Sequence, residues 1–425
     1  MPRVGLLAIL AVALLLRAGL VLATTDYVPS YDARDYDLHA LYIEKLGRYP
    51  PSVYAAPGSP SAFRPPAYPH ALAAVYKLTG RRWTAGRLFG ALLGVASVLL
   101  LYLIAELVFG RRTALAAGWI AAVFPPFVFM PAALLAENLF VPLVLGATWA
   151  ALAYRRSPRW WWLVAAGAFC GAAALTRTNG ILVLLVAAVA VLLAQPRPRL
   201  RLRALAAPAA VCAVAVLAIS PWTIRNARAF HAFVPISTQT GWTLIGAYNA
   251  DAAADGPLQA ATRVPTTLPE LRGLFHRPGL DEVELDHKLR KRARSFAADH
   301  PGYLPEALRL NAMRMFGLGG DPRFTDIWNQ ERDITSARKA LSGVGLAIVC
   351  ALALVALLRG RIRGAPVWLW AIPLLLFLST APILGNPRYR ASIDPFLVLL
   401  AAAAIQGAGR FGRSEKGWSP TPGTA

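Results

Sequence analysis

The chain has 425 residues, of which 56% are hydrophobic and 16% are charged, and this composition excludes an intrinsically disordered protein. Its formal net charge is +22. The arginines occupy short gaps between apolar runs, with no aromatic residues interleaved to stack on bases, so we predict no nucleic-acid partner.

Long apolar runs recur along the chain and predict membrane-spanning helices, because a span needs about 20 apolar residues. The runs are 5–23, 84–109, 113–129, 134–154, 160–176, 181–194, 204–220, 341–358, 365–384 and 393–405. They predict an all-α polytopic membrane protein with about ten to twelve transmembrane helices. Arg17 interrupts the first run and favours a retained, bundle-facing helix over the alternative, a cleaved signal peptide.

The three cysteines all lie inside apolar runs or at their ends. This position predicts free thiols that pack as small hydrophobic groups, rather than disulfides or a thiolate metal site. They are Cys170, Cys212 and Cys350.

Basic residues mark every second connection between the runs. They are Arg3; Arg111 and Arg112; Arg155, Arg156 and Arg159; Arg197, Arg199, Arg201 and Arg203; Arg359, Arg361 and Arg363; and Arg410, Arg413 and Lys416. The positive-inside rule places these connections and both termini in the cytoplasm. We therefore predict a multi-pass protein of the plasma (inner) membrane, with the other connections outside the cytoplasm.

Four segments follow from this topology. Residues 1–221 form an N-terminal transmembrane module with a first outer loop at 24–83, and residues 222–335 form an extracytoplasmic region with amphipathic helices. Residues 336–410 carry the last transmembrane helices and 411–425 a cytoplasmic tail. Within the extracytoplasmic region, 281–298 reads as a charged helix, and 305–316 as a helix whose Leu308, Met315 and Phe316 lie on the membrane surface.

The first outer loop contains an acidic stretch. Helical spacing would place Asp32, Asp35, Tyr36 and His39 on one face, with Asp37 turned away. Asp35 and Asp37 also form a D-x-D pair, a pattern that can hold a divalent cation through carboxylate oxygens. The alternative is a solvated acidic loop.

Further polar residues occur in the other outward connections. They are Arg64 before two prolines, Glu137, Arg177, Arg225 with Asn226, and Arg388 with Tyr389 and Arg390. A guanidinium is a planar, bidentate phosphate ligand, although each arginine alone is also explained by snorkelling to the interface. Outward arginines beside outward carboxylates predict a phosphate-bearing ligand and a general base in one cavity.

The order of these motifs resembles the GT-C superfamily. The pattern consists of Asp32, Tyr36 and Ala40; Arg64-Pro65-Pro66 with Tyr68 and Pro69; Glu137; Leu175-Thr176-Arg177 with Asn179 and Gly180; Pro221-Trp222 with Arg225 and Asn226; and Arg388-Tyr389-Arg390. It is similar in particular to the bacterial relatives of protein O-mannosyltransferases (glycosyltransferase family 39) and of the lipid A aminoarabinose transferase.

The resemblance implies an inverting membrane glycosyltransferase that moves a sugar from a polyprenyl-phosphate carrier to a hydroxyl of a glycan, lipid or protein. It implies that Asp32 is the general base, that Arg64 contacts the carrier phosphate, and that Tyr389 and Arg390 contact the lipid head group. Glu137 and Arg177 match a later acid and a later basic residue. Family members often have two adjacent acids where this chain has Asp32 and Ala33, so Asp35 stays open as the base.

Neither phosphate binding nor proton removal requires a cofactor, and a divalent cation at Asp35 and His39 is an open alternative. A lipid-linked sugar flippase or transporter is the rival function, because it would need similar residues. No internal repeat is visible and the polar groups concentrate at one membrane face, which favours the transferase.

Overall fold

The computed structural model describes residues 2–195, 202–319 and 335–406. Within these ranges the protein is helical, with short 3-10 turns and a single isolated bridge between Pro51 and Pro60 in place of strands. The tail 411–425 and six of the basic residues used for topology lie outside the described residues. These six are Arg197, Arg199, Arg201, Arg410, Arg413 and Lys416.

The α-helices are numbered in chain order along the described part. They are α1 (Pro2–Ala23), α2 (Tyr31–Leu46), α3 (Ala67–Thr79), α4 (Trp83–Phe109), α5 (Arg111–Val123), α6 (Pro125–Phe129), α7 (Glu137–Arg156), α8 (Trp160–Thr176), α9 (Ile181–Leu193), α10 (Ala206–Phe230), α11 (Thr240–Ala247), α12 (Ala250–Ala253), α13 (Glu282–Asp299), α14 (Tyr303–Met315), α15 (Ser336–Leu358), α16 (Val367–Thr380) and α17 (Asp394–Gln406).

Five of these helices, α1, α4, α7, α10 and α15, are long and apolar enough to cross a membrane. Helix α5 and the segment Pro125–Ala132 pass the same test together as a pair bent by 53°. The shorter helices α8, α9, α16 and α17 are also apolar. Each of these units falls on one of the predicted runs, so the prediction of an all-α polytopic membrane protein is confirmed.

The bend after α5 explains why the first helix contains an arginine. Pro125 and Pro126 have no N–H to donate, which leaves the carbonyls of Ala121 and Ala122 without their helical partners. The fully buried Arg17 donates to both carbonyls at 3.0 Å. Arg17 therefore faces the bundle, as predicted, and satisfies backbone groups that would otherwise be costly at this depth.

Helices α8 and α10 pack with their backbones close together. A Cβ on Gly167 would lie 2.6 Å from the carbonyl oxygen of Val211, and one on Gly171 would lie 2.7 Å from the Cβ of Ala218. Small residues at such crossings allow helices to approach closely inside a membrane. The contact fixes the position of α8, and with it that of Arg177 at its end.

A second apolar cluster lies outside the bundle core and is built from α11, α13, α14 and the segment 268–280 before α13. Its buried members include Ile245, Leu271, Leu285 and Leu289. Helix α13 begins after Asp281, whose carboxylate accepts a hydrogen bond from the Glu284 N–H, and this confirms the predicted charged helix. The free state of the three cysteines is also confirmed.

The expectation for 305–316 was wrong in one respect. Met315 does not lie on a membrane surface but is fully buried against Ala381 and Ile393, and Leu308 and Phe316 pack around the same cluster. The amphipathic face of α14 is covered by the end of α16 and the segment after it. The predicted division of the chain into four segments stays a prediction.

Candidate active site

Helix α2 presents Asp32 and Asp35 on one face, as their spacing predicts. The helix ends at Gly47, which has a φ of 62° and donates its N–H to the Ile43 carbonyl. Glycine adopts this left-handed conformation without steric cost, and the chain turns there into the loop that carries Arg64.

Arg64 bridges the two aspartates. Its Nε lies 2.5 Å from Asp35 Oδ2 and its Nη2 lies 2.6 Å from Asp32 Oδ1. The Tyr49 hydroxyl donates to the Arg64 carbonyl at 2.7 Å and fixes the backbone at this position. The guanidinium also lies 5.1 Å from the centre of the Tyr36 ring, which in turn packs edge-on against Tyr68.

Arg388, in the 3-10 turn between α16 and α17, contacts the same carboxylate from the other side. Its Nη2 donates to Asp32 Oδ2, and its Nε lies 3.3 Å from Glu137 Oε1 at the start of α7. Arg177, at the end of α8, donates from Nη1 to the same Glu137 oxygen at 2.6 Å. The Tyr389 ring lies 4.9 Å from the Arg177 guanidinium, and its hydroxyl accepts from Arg388 at 3.1 Å.

These contacts join four separate connections into one group, which we call the ion-pair cluster. Its members are Asp32, Asp35, Arg64, Glu137, Arg177 and Arg388. Three carboxylates oppose three guanidiniums, so the formal charge of the cluster is zero. Successive connections of a helical bundle alternate between its two ends. Because the side chains of these four connections meet, the four lie at the same end of the bundle.

The arginines determine the protonation of the aspartates. Burial raises the pKa of Asp32, but Arg64 and Arg388 outweigh it and hold that pKa well below its usual range. For Asp35, burial likewise raises the pKa, while Arg64 and the hydrogen bond from His39 bring it down to about 2. Burial lowers the pKa of Arg64, and the two aspartates more than reverse this. All three groups are charged at neutral pH.

The sequence model of the dolichyl-phosphate-mannose-protein mannosyltransferase family matches residues 63–224 of this chain. No curated protein matches the chain by sequence. The archaeal oligosaccharyltransferase AglB from Archaeoglobus fulgidus, in complex with an inhibitory peptide and a dolichol-phosphate, is similar with a TM-score of 0.56 and 15% identity, covering 94% of this chain and 50% of that one.

An oligosaccharyltransferase of Archaeoglobus fulgidus in complex with zinc and sulfate gives a TM-score of 0.54 at 16% identity, over 94% of this chain and 48% of that one. This chain has the GT-C fold. ArnT from Cupriavidus metallidurans, bound to undecaprenyl phosphate, aligns over 95% of this chain and 76% of its own, with a TM-score of 0.40 and 15% identity. The chain spans about half the length of the archaeal enzymes. The resemblance to the GT-C superfamily is confirmed at the level of the fold.

Within this GT-C fold, Asp37 and His39 do not share the environment of Asp32. Asp37 points to the opposite side of α2, where it accepts hydrogen bonds from Tyr76, Arg81 and Trp83. The Nδ1 of His39 lies 3.2 Å from Asp35 Oδ1 and 2.8 Å from the Asp35 carbonyl oxygen. The structure therefore separates the two carboxylates of the D-x-D pair.

Arg225 and Asn226 on α10 brace the loop before Arg64. Arg225 donates to the Ser61 carbonyl at 2.7 Å, with its guanidinium 4.9 Å from the centre of the Trp222 ring. Asn226 is fully buried and donates to the Val234 carbonyl at 3.0 Å. Arg225 supports the loop directly, Asn226 accepts from Arg225 at 3.0 Å, and neither residue joins the cluster.

Arg390 also lies apart from the ion-pair cluster. Its Nε donates to Asp394 at 2.6 Å, and its Nη1 donates to the carbonyl of Met315, the last residue of α14. Carbonyls at a helix C-terminus lack helical partners, and a basic side chain there satisfies them. Arg390 thus ties α14 to the start of α17.

Sequence reasoning missed Glu282. Its buried carboxylate accepts from the Ser61 hydroxyl at 2.7 Å, the Ala62 N–H at 2.9 Å and the Thr238 hydroxyl at 2.6 Å. Glu282 therefore fixes the loop at Ser61 and Ala62, shortly before Arg64. In the sequence, Glu282 begins a highly charged helix and is indistinguishable from a solvated residue, so no local signal pointed to it.

Proposed function

We propose that the protein transfers a sugar from a polyprenyl-phosphate carrier to an acceptor hydroxyl, with inversion. The observation that supports this most is the convergence of three guanidiniums from different connections on Asp32, Asp35 and Glu137. The GT-C fold supports glycosyl transfer as the reaction class, and the similar AglB structure is described with a dolichol-phosphate.

The guanidiniums would bind the carrier phosphate. In the described structure each of them already has a carboxylate partner, so an incoming phosphate replaces carboxylate contacts rather than meeting free cations. Arg64, Arg177 and Arg388 present planar N–H groups suited to phosphate oxygens. As the glycosidic bond breaks, negative charge collects on the departing polyprenyl monophosphate, and these groups stabilise it.

Asp32 would be the base. It takes the proton of the acceptor hydroxyl while the acceptor oxygen attacks the anomeric carbon and the carrier phosphate leaves from the opposite face. Its depressed pKa makes it a weak base while both arginines contact it. When phosphate draws Arg64 and Arg388 away, the pKa of Asp32 rises, so that donor binding activates the base. Asp35 keeps its own partner, His39, and is the second candidate.

The orientation and the cofactor requirement also belong to this proposal. The basic connections are cytoplasmic, the ion-pair cluster is extracytoplasmic and the protein lies in the plasma (inner) membrane. No cofactor is required. Within the described residues, no group of three or more His, Cys, Asp or Glu side chains is arranged to hold a metal ion.

The deciding experiment uses purified protein in lipid nanodiscs with radiolabelled polyprenyl-phosphate sugars and an envelope extract as the acceptor source. Nanodiscs have no separate compartments, so a transporter produces no chemical change in them. A new labelled glycoside, formed by the wild type and not by Asp32→Asn, supports transfer. Movement of the carrier across proteoliposomes with no labelled product at all would instead establish the flippase.

A further inference from the structure

A groove lies between α2 and the loop that follows it, and it reaches Asp35. Its volume is about 380 Å³ and its walls are almost entirely apolar. They include Leu38, Leu41, Tyr42, Pro50, Val53 and Phe63. We call this the apolar groove.

Exposed hydrophobic side chains surround the mouth of the apolar groove. Leu38 is 46% exposed, Leu46 is 54% exposed and Val53 is 57% exposed. These three large apolar residues at one mouth present a surface that an acyl chain can cover.

The inner end of the groove is polar. Asp35 and His39 both line it, and Asp35 belongs at the same time to the ion-pair cluster through Arg64. Both neighbours of His39 Nδ1 are Asp35 oxygens, so Nδ1 donates to Asp35, and the Asp35 carboxylate accepts hydrogen bonds at this end of the groove. A hydroxyl group at this end therefore meets hydrogen-bond acceptors next to the proposed reaction centre.

The rim of the groove is positively charged. Lys45 lines it with a side chain that is 67% exposed, and its pairing with Glu44 at 3.3 Å is a surface contact of little strength. Arg48 lies 6.0 Å from the centre of the Tyr42 ring. These cations complement a negatively charged head group.

We propose that the apolar groove binds the acceptor, and that the acceptor is an anionic lipid with a hydroxyl in its head group. The acyl chain occupies the apolar wall, the negative charge faces Lys45, and the hydroxyl passes Asp35 and His39 to reach Asp32, which Arg64 joins to Asp35. This rests on the proposed glycosyl transfer, since it names the acceptor class for that reaction. The donor phosphate then meets the cluster at its guanidiniums, and the acceptor reaches it from the apolar groove through Asp35.

The test is photolabelling in phosphatidylcholine nanodiscs that contain a few per cent of phosphatidylglycerol with a diazirine on its acyl chain. Mass spectrometry should place the label between residues 38 and 63. Val53→Asp and Leu38→Asp put a carboxylate on the apolar wall and should lower labelling about tenfold. The control Leu78→Asp changes a leucine that is 87% exposed at the end of α3 and should leave labelling unchanged.

Competition with unlabelled lipids tests the hydroxyl. Phosphatidylglycerol should displace the label at least about tenfold better than phosphatidylethanol, which has the same charge and chains but no head-group hydroxyl. Equal competition by the two lipids, or labelling that Val53→Asp does not change, overturns the proposal.

No donor is present in either measurement, so its outcome is independent of transfer. If labelling fails while Asp32→Asn abolishes glycosyl transfer, only the groove assignment falls. If labelling succeeds and no glycoside ever forms, the groove binds lipid but the proposed function falls.

Discussion

Arg388 contacts the carboxylate of Asp32 from a position 356 residues further along the chain. This ion pair joins the first described connection of the bundle to the last, and it consumes donors that a phosphate ligand would use. Arg64, Arg177 and Arg388 are thus all paired with carboxylates. A phosphate that binds here must replace carboxylates as the partners of these guanidiniums.

Asp32→Asn should separate donor binding from transfer. Asparagine keeps the shape of the side chain but cannot accept a proton, so transfer should fall roughly 10²–10⁴-fold. Because the substitution also removes a negative charge that competes with phosphate, the donor should bind at least as tightly as it binds to the wild type. Donor affinity in nanodiscs and single-turnover transfer measure the two effects.

The neighbouring aspartates supply the controls for this experiment. Asp37→Asn changes a carboxylate held by Tyr76, Arg81 and Trp83, so it should lower the thermal midpoint and preserve transfer per folded molecule. If Asp35→Asn is inactive while Asp32→Asn turns over normally, the base is Asp35. Full activity in all three variants would show that α2 is not the catalytic element.

Arg64→Ala and Arg388→Ala should each weaken donor binding. The loss of one charged hydrogen-bonding partner costs about 1.5–3 kcal/mol, which is roughly a ten- to hundredfold change in affinity. Arg390→Gln is the matched control, since Arg390 is two residues from Arg388 but pairs with Asp394 and the end of α14. It should lower thermal stability and leave donor affinity unchanged. The assignment of the phosphate site is wrong if the Arg390 variant loses affinity and the other two do not.

Much of the fold follows from short-range features of the sequence. Apolar runs marked the spanning helices, and the spacing of Asp32 and Asp35 placed them on one face of α2, because helical periodicity depends only on neighbouring residues. Such patterns contain no information on which connections meet. The ion pairs of Asp32 with Arg64 and Arg388 depend on tertiary packing over 32 and 356 positions.

Residues of one motif also have different partners in the structure, which the sequence did not reveal. Arg388 and Arg390 share one short turn, yet one contacts the cluster and the other the C-terminus of α14. Met315 reads as a membrane-facing residue on an isolated amphipathic helix, but tertiary contacts bury it. In each case the deciding partner is remote in sequence.

The ionisation of Asp35 predicts a loss of stability in acid. Its pKa is about 2 in the folded protein, against about 3.9 in an unfolded chain. A depressed pKa contributes stability above the unfolded value, and that contribution disappears as the pH falls through the folded value. The thermal midpoint should therefore drop between about pH 4 and pH 2, with Asp32 acting in the same direction. Asp35→Asn should flatten this dependence, and an equally steep curve in the variant would contradict the prediction.

Removal of divalent cations should leave transfer unchanged. Asp32, Asp35 and Glu137 all have guanidinium partners, and Asp37 of the D-x-D pair lies on the other side of α2. Arginine side chains then stabilise the negative charge on the leaving phosphate. Transfer rates before and after dialysis against EDTA, with magnesium, manganese and calcium added back separately, measure this directly. A loss of activity with EDTA that one of these ions restores would establish a metal requirement.

The last prediction concerns the side of the membrane. Since ion pairs join the connections that carry Asp32, Glu137, Arg177 and Arg388, all of them must lie on one side, and the arginine-rich connections predict that this side is the exterior. In a background without the three native cysteines, Leu78→Cys and Asp255→Cys should react with an impermeant maleimide in intact cells. Pro158→Cys and Arg359→Cys should react only after permeabilisation, and all four positions are exposed in the structure, so each can be labelled once the reagent reaches it. Labelling of Arg359→Cys in intact cells would reverse the orientation, and labelling of Leu78→Cys and Arg359→Cys on the same side would contradict the alternation of the bundle itself.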